Sequence, residues 1–145
     1  MEDAKTILAK HGIEIDDLVE AGFRLYVSDT QNDDIAAARN RLRELLSTYL
    51  EDPNVWLMVA AASYLDEMIS SSGGREALSL SEDPAYLVAD ELIGMSIAEY
   101  IAGKKGLFNY IRYDREKPGI IGDLPPFMDD AVGALVAASM TRVFE

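Results

Sequence analysis

The sequence predicts an all-α protein, a compact bundle of about six to seven helices. Two observations carry the prediction. Apolar residues recur every three to four positions through most of the chain, as on one helix face, and no stretch alternates convincingly as a half-buried strand does. Two Asp-Pro pairs, Asp52-Pro53 and Asp83-Pro84, each place a capping residue before a proline at the favoured first helical position. The 145 residues have the usual size of one domain, and residues 1–145 are expected to form one, with its informative motifs in 82–145.

In chain order, residues 3–10 predict a short helix stopped by Gly12. Asp16 caps a second through about Arg24, with Leu18, Val19, Ala21 and Leu25 as its apolar positions. Residues 28–33 read as a polar loop. A third helix covers about 34–50, on the stripe Ile35, Ala38, Leu42, Leu45, Leu46 and Tyr49. The helix from Pro53 to about Ser70 is apolar on most sides and reads as the central one. After a break at 70–74, Asp83-Pro84 starts a helix to about Ala102, ended by Gly103. A short aromatic helix covers about 104–113, stopped by Pro118 and Gly119. Residues 122–126 form a turn, and a last helix runs to the C-terminus.

Composition narrows the chemistry. There is no cysteine, which excludes disulfides, thiolate metal sites and cysteine nucleophiles. One histidine, His11, cannot build a multi-histidine zinc site and reads as a solvated surface residue. A net charge of −13 argues against nucleic acid as a partner and favours divalent cations. The longest apolar stretch, Val55 to Leu65, is about half of the ~20 residues a membrane span needs. With no basic-then-apolar N-terminal pattern, the expectation is a cytoplasmic protein without stable membrane insertion. An exposed apolar helix face can support a homodimer.

The informative feature is acid on apolar helix faces. Glu91 shares a stripe with Leu87, Gly94, Met95, Ala98 and Ala102. Asp83 lies two turns earlier. In the last helix, Asp129 and Asp130 fall in the first turn, and Asp130 shares a stripe with Gly133, Ala134, Ala137 and Ala138. Glycine and alanine let helices approach closely, so the two could bring their acids onto one divalent ion. An oxygen-only donor set suits Mg²⁺, or Mn²⁺, better than zinc. The plainer alternatives are that Asp83 only caps its helix and that Asp129 and Asp130 only complement the helix dipole. Asp66 and Glu67 form a weaker acidic pair.

Lys104, Lys105, Arg112, Arg115 and Lys117 gather five of the thirteen Lys and Arg into one short segment. They predict an anion-binding site between the two acidic helices, with Phe108, Tyr110 and Tyr113 interleaved to hold an aromatic group. The competing explanation is a helix with one basic and one aromatic face. Acids, a divalent ion and a basic cluster together point to phosphate chemistry.

Three motifs then occur in order: Ala89-Asp90-Glu91-Leu92-Ile93-Gly94, Tyr113-Asp114-Arg115-Glu116-Lys117-Pro118 and Met128-Asp129-Asp130. Together they resemble the phosphatidylglycerophosphatase A family, and segments such as 97–103 and 122–127 are similar to its archaeal soluble branch. The resemblance implies an all-helical, Mg²⁺-dependent phosphatase acting on a phosphomonoester. In that branch the substrate would be α-ribazole 5′-phosphate, in cobalamin nucleotide-loop assembly. By motif, Glu91, Asp129 and Asp130 would be metal ligands or acid–base groups, with Asp83 close by. Asp114 would hold the turn or the metal shell. Lys117 would contact the phosphate, with Arg112, Arg115 and Tyr113 beside it. The alternatives are a lipid phosphate substrate, or a non-catalytic adaptor with a structural metal site.

Overall fold

The computed structural model describes residues 2–27, 34–71, 73 and 87–145. Six α-helices and one 3-10 helix run in the order α1 (Ala4–Lys10), α2 (Ile15–Arg24), α3 (Ile35–Glu51), α4 (Pro53–Ser70), α5 (Ala89–Glu116), the 3-10 helix (Gly119–Asp123) and α6 (Pro126–Val143). No strand occurs among the described residues, so the expected all-α fold holds. The predicted loop at 28–33 and the Asp83-Pro84 pair lie outside the described residues, but Leu87 and Val88 are not helical, so this helix starts at Ala89 and does not run on from Pro84 as expected.

Local caps explain most of the helix starts. Asp3 accepts the Thr6 amide at 2.8 Å, Asp34 that of Ala37 at 3.0 Å and Asp52 that of Asn54 at 2.8 Å. One start differs from expectation. Helix α2 begins at Ile15, because Glu14 and Asp17 form a reciprocal capping box; Asp16 instead faces Arg43 across to α3, at 2.9 Å.

Helix α5 is not a straight rod. At Ala102 and Gly103 the backbone leaves the helix, and Gly103 takes φ 62°, ψ −149°, a combination open essentially to glycine. A Cβ on Gly94 would meet the Tyr110 ring and hydroxyl, and one on Gly106 would meet the Ala98 carbonyl at 2.6 Å. These pairs lie symmetrically about residue 102, so the chain folds back into two antiparallel arms. The expected stop at Gly103 is this turn. The second arm runs past residue 113 to Glu116. Arg142 donates to the Ile101 carbonyl at 2.9 Å, satisfying an acceptor near the break.

The central helix is α6, not α4. Helix α6 is buried continuously from Asp130 to Met140 and touches α2, α3, α4, α5 and the 3-10 helix. Gly133, Ala134, Ala137 and Ala138 are small, so neighbours can close on it from several sides. Helix α4 leaves Leu57 and Tyr64 51% and 65% exposed, so its apolar composition overstates its burial. No helix among the described residues is long and apolar enough to cross a membrane.

Two long-range bonds place the site. Asp66 in α4 accepts the amides of Phe127 and Met128 at 2.9 and 2.8 Å, capping α6 from outside its own chain segment. Burial pushes the Asp66 carboxyl up, more than the two amides lower it. The Tyr113 hydroxyl donates to the Gly22 carbonyl at 2.5 Å, pinning the second arm of α5 to α2.

Candidate metal centre

The end of α5 and the start of α6 meet at one cluster. Asp114, Asp129 and Asp130 each offer a carboxylate oxygen, and these oxygens all lie within 4.8 Å of one another. The Lys117 ammonium sits among them, 3.0 Å from Asp114, 3.3 Å from Asp129 and 3.8 Å from Asp130. Asp114 and Lys117 are three apart, so one helical stripe presents both. Lys117 ends that helix in the left-handed region, at φ 46°, with its amide bonded to the Tyr113 carbonyl. Asp129 and Asp130 stand in the early turns of α6, near its positive dipole end.

Burial sets the electrostatics. Asp130 is 3% exposed, and desolvation, with hydrogen bonding to Asp114 and Asp129, pushes its carboxyl up to about 10. Burial also raises Asp129, against the pull of Asp130 and Lys117. Burial works to raise Asp114 too, but hydrogen bonds from Asp130 and Lys117 outweigh it and hold that carboxyl below its usual range. Burial works to lower Lys117, yet Asp114 and Asp129 together raise it. At neutral pH the cluster therefore holds a proton on Asp130 and an ammonium among its neighbours. A proton and an ammonium thus gather among the three carboxylates. The donor set is oxygen only and fits Mg²⁺ or Mn²⁺.

The other residues singled out from sequence are placed as follows. Glu91 is exposed and outside the three-carboxylate group. It lines a cleft of about 220 Å³ with Met95, Leu107, Tyr110, Ile111 and Asp114, beside the cluster. Asp83 lies outside the described residues. Gly94 does allow the expected close approach, since a Cβ there would lie 3.0 Å from the Asp130 carbonyl.

The basic segment does not form one anion site between the acidic helices. Lys117 joins the carboxylates, and Lys104 pairs with Glu99 at 2.9 Å. Arg115 is exposed, and Lys105 and Arg112 line a separate cavity. The aromatic residues separate too. Tyr110 and Tyr113 are buried, while Phe108 is 74% exposed. With its hydroxyl bonded to Gly22, Tyr113 works as a core anchor and not as part of the carboxylate cluster.

Comparison with known proteins shows the family. The family model for phosphatidylglycerophosphatase A matches residues 31–145. The chain belongs to the phosphatidylglycerophosphatase A family. Its membership suggests a phosphatase. An uncharacterised protein of Methanocaldococcus jannaschii is 39% identical over 131 residues, covering 88% of this chain and 100% of that protein. The uncharacterised YutG of Bacillus subtilis is 29% identical, over 97% of this chain and 87% of its own. Among solved structures, the low temperature requirement C protein from Listeria monocytogenes matches with TM-score 0.78 and 27% identity, over 97% of this chain and 92% of that one. A Bacillus stearothermophilus protein of unknown function shares the fold, with TM-score 0.76.

Two features of this family member's site lie beyond what residue spacing indicates. Asp114 enters only through the motif, and Lys117 groups with the basic cluster and not with the acids, although Leu107, Tyr110, Asp114 and Lys117 make one helical stripe that could have joined them. The Asp66 cap carries no local signal, because its partners are 61 and 62 positions away. His11 is also not merely solvated: its Nε2 lies 2.9 Å from the Ser63 hydroxyl.

Proposed function

We propose that this protein is a metal-dependent phosphomonoesterase with its centre at Asp114, Lys117, Asp129 and Asp130. The observation that supports this best is the Lys117 ammonium surrounded by three carboxylates whose oxygens lie within 4.8 Å of one another. Asp114, Asp129 and Asp130 would hold a divalent ion, Mg²⁺ or Mn²⁺, with Glu91 at the cleft rim close by. Such an ion supplies charge neutralisation at phosphoryl oxygens and lowers the pKa of a bound water. Lys117, no longer needed to balance the acids, supplies positive charge to a phosphoryl oxygen. The buried floor of α6 keeps Asp130 away from bulk water, which strengthens each electrostatic contact.

For the substrate we propose α-ribazole 5′-phosphate, following the resemblance to the soluble archaeal branch. The test is phosphate release by purified protein from that compound and from micellar phosphatidylglycerophosphate, each with Mg²⁺ and with EDTA. Mg²⁺-dependent release from the ribazole compound, abolished by Asp130→Asn, is the expected result. Release from the lipid alone would replace the substrate and keep the chemistry. Release from neither, with Mg²⁺ or Mn²⁺, would turn attention to a non-catalytic role.

A further inference from the structure

Among the described residues, each Lys and Arg lies within an ion pair except Lys105, Arg112 and Arg115. All three belong to the second arm of α5. The chain carries 26 Asp and Glu, so acidic partners are abundant, and three neighbouring cations without one stand out. Lys105 and Arg112 line a cavity of about 570 Å³, together with Tyr26, Asn109, Thr141 and Phe144. The Tyr26 and Phe144 rings stack on each other at 5.1 Å and 18°, with Phe23 tilted against Tyr26 at 5.6 Å, and the Arg112 guanidinium lies over the Tyr113 ring at 5.4 Å. Glu145 also lines the cavity, but its carboxylate is engaged by Arg142 at 2.7 Å, which leaves the charge of Lys105 and Arg112 uncancelled.

Lys105, Asn109 and Arg112 recur four and three positions apart and share one stripe, whereas Asp114 lies on the opposite side of the arm. The cavity and the metal centre therefore use different faces of the same arm. Its volume falls in the range of small-ligand sites. Arginine and lysine are the usual partners of phosphate, and aromatic rings stack on planar bases.

We propose that this cavity is a second ligand site, separate from the metal centre, that takes a small organic phosphate carrying an aromatic ring. Lys105 and Arg112 hold the phosphate, and the half-exposed Phe144 ring, backed by Tyr26, holds the aromatic group.

Isothermal titration of the full chain with AMP and with inorganic phosphate, in EDTA at low salt, tests this independently of any hydrolytic activity. The expected result is saturable AMP binding, at least tenfold tighter than phosphate. It should weaken at least tenfold in the Lys105→Glu/Arg112→Glu double variant and persist in Lys117→Gln. Circular dichroism checks folding, and the single exposed-site variant Lys105→Ser, expected to weaken AMP several-fold, stands in if the double variant fails to fold. No saturable AMP binding, equal affinity for AMP and phosphate, or binding indifferent to the substitutions at Lys105 and Arg112 would each overturn the proposal. So would AMP binding lost in Lys117→Gln, which would assign the ligand to the metal centre.

Discussion

The Asp66 carboxylate accepts the Met128 amide at 2.8 Å, tying the last turns of α4 to the first turn of α6. Two residues further along α6 stands Asp130, so this cap positions the carboxylate cluster as well as the helix. Asp66→Ala should lower stability by about 2 kcal/mol, since it removes the buried acceptor of two amides. It should also weaken Mn²⁺ binding. Urea unfolding and a Mn²⁺ titration measure the two effects, and a stability loss below about 0.5 kcal/mol would show that the cap contributes little.

The metal-free protein should lose stability as pH rises. The Asp130 carboxyl moves from an ordinary value of 3.8 to about 10 in the folded chain, so between those values the folded state holds a proton that the unfolded state lacks. Its contribution is therefore fully present below pH 3.8 and is lost progressively as pH climbs toward 10, at no more than ~1.4 kcal/mol per pH unit. Urea unfolding in EDTA across pH 5 to 9 reads the slope, and Asp130→Asn should flatten it. For the same reason, Mn²⁺ binding near neutral pH should release about one proton and tighten as pH rises. Calorimetry in buffers of different ionisation enthalpy would detect that proton, and its absence would remove Asp130 from the ligand set.

Lys117 combines an unfavourable backbone with a useful side chain. At φ 46° a glycine suffers no Cβ penalty, whereas other residues lose about 1–2 kcal/mol. Lys117→Gly should thus be more stable than Lys117→Ala by about 1 kcal/mol, although both lack the ammonium. Both variants should recover part of their loss when Mg²⁺ is added. Equal melting temperatures for the two would show that the left-handed turn relaxes in the variants.

Gly94 and Tyr110 define a tight crossing of the α5 arms. Gly94→Ala should cost about 1–3 kcal/mol, because the new methyl would enter the Tyr110 ring. Tyr110→Phe should behave in the opposite sense. The Tyr110 hydroxyl is buried without a hydrogen-bond partner among the described residues, so its removal should leave stability unchanged or raise it. A marked destabilisation would reveal a partner for that hydroxyl, such as a buried water.

The sequence by itself determined the helical class and most helix limits, because these rest on local physics. Apolar spacing set α3, Asp52 and Pro53 set the start of α4, and Gly103 marked the turn in α5. It also showed that Asp130 shares a small-residue stripe, since that needs only the helical repeat. Tertiary structure decided the rest. A stripe says which residues share a face of their own helix, but not which helix that face meets. The distance from Asp114 to Asp130 depends on how the second arm of α5 crosses α6, which the contacts of Gly94 and Gly106 and the Asp66 cap hold in place. That crossing brought Lys117 among the carboxylates and left Glu91 at the cleft rim, whereas the helical repeat alone sets Lys105 and Arg112 on the face opposite Asp114. It also made α6 the core in place of α4, because small side chains allow close approach from several sides, a property of packing that hydropathy does not measure.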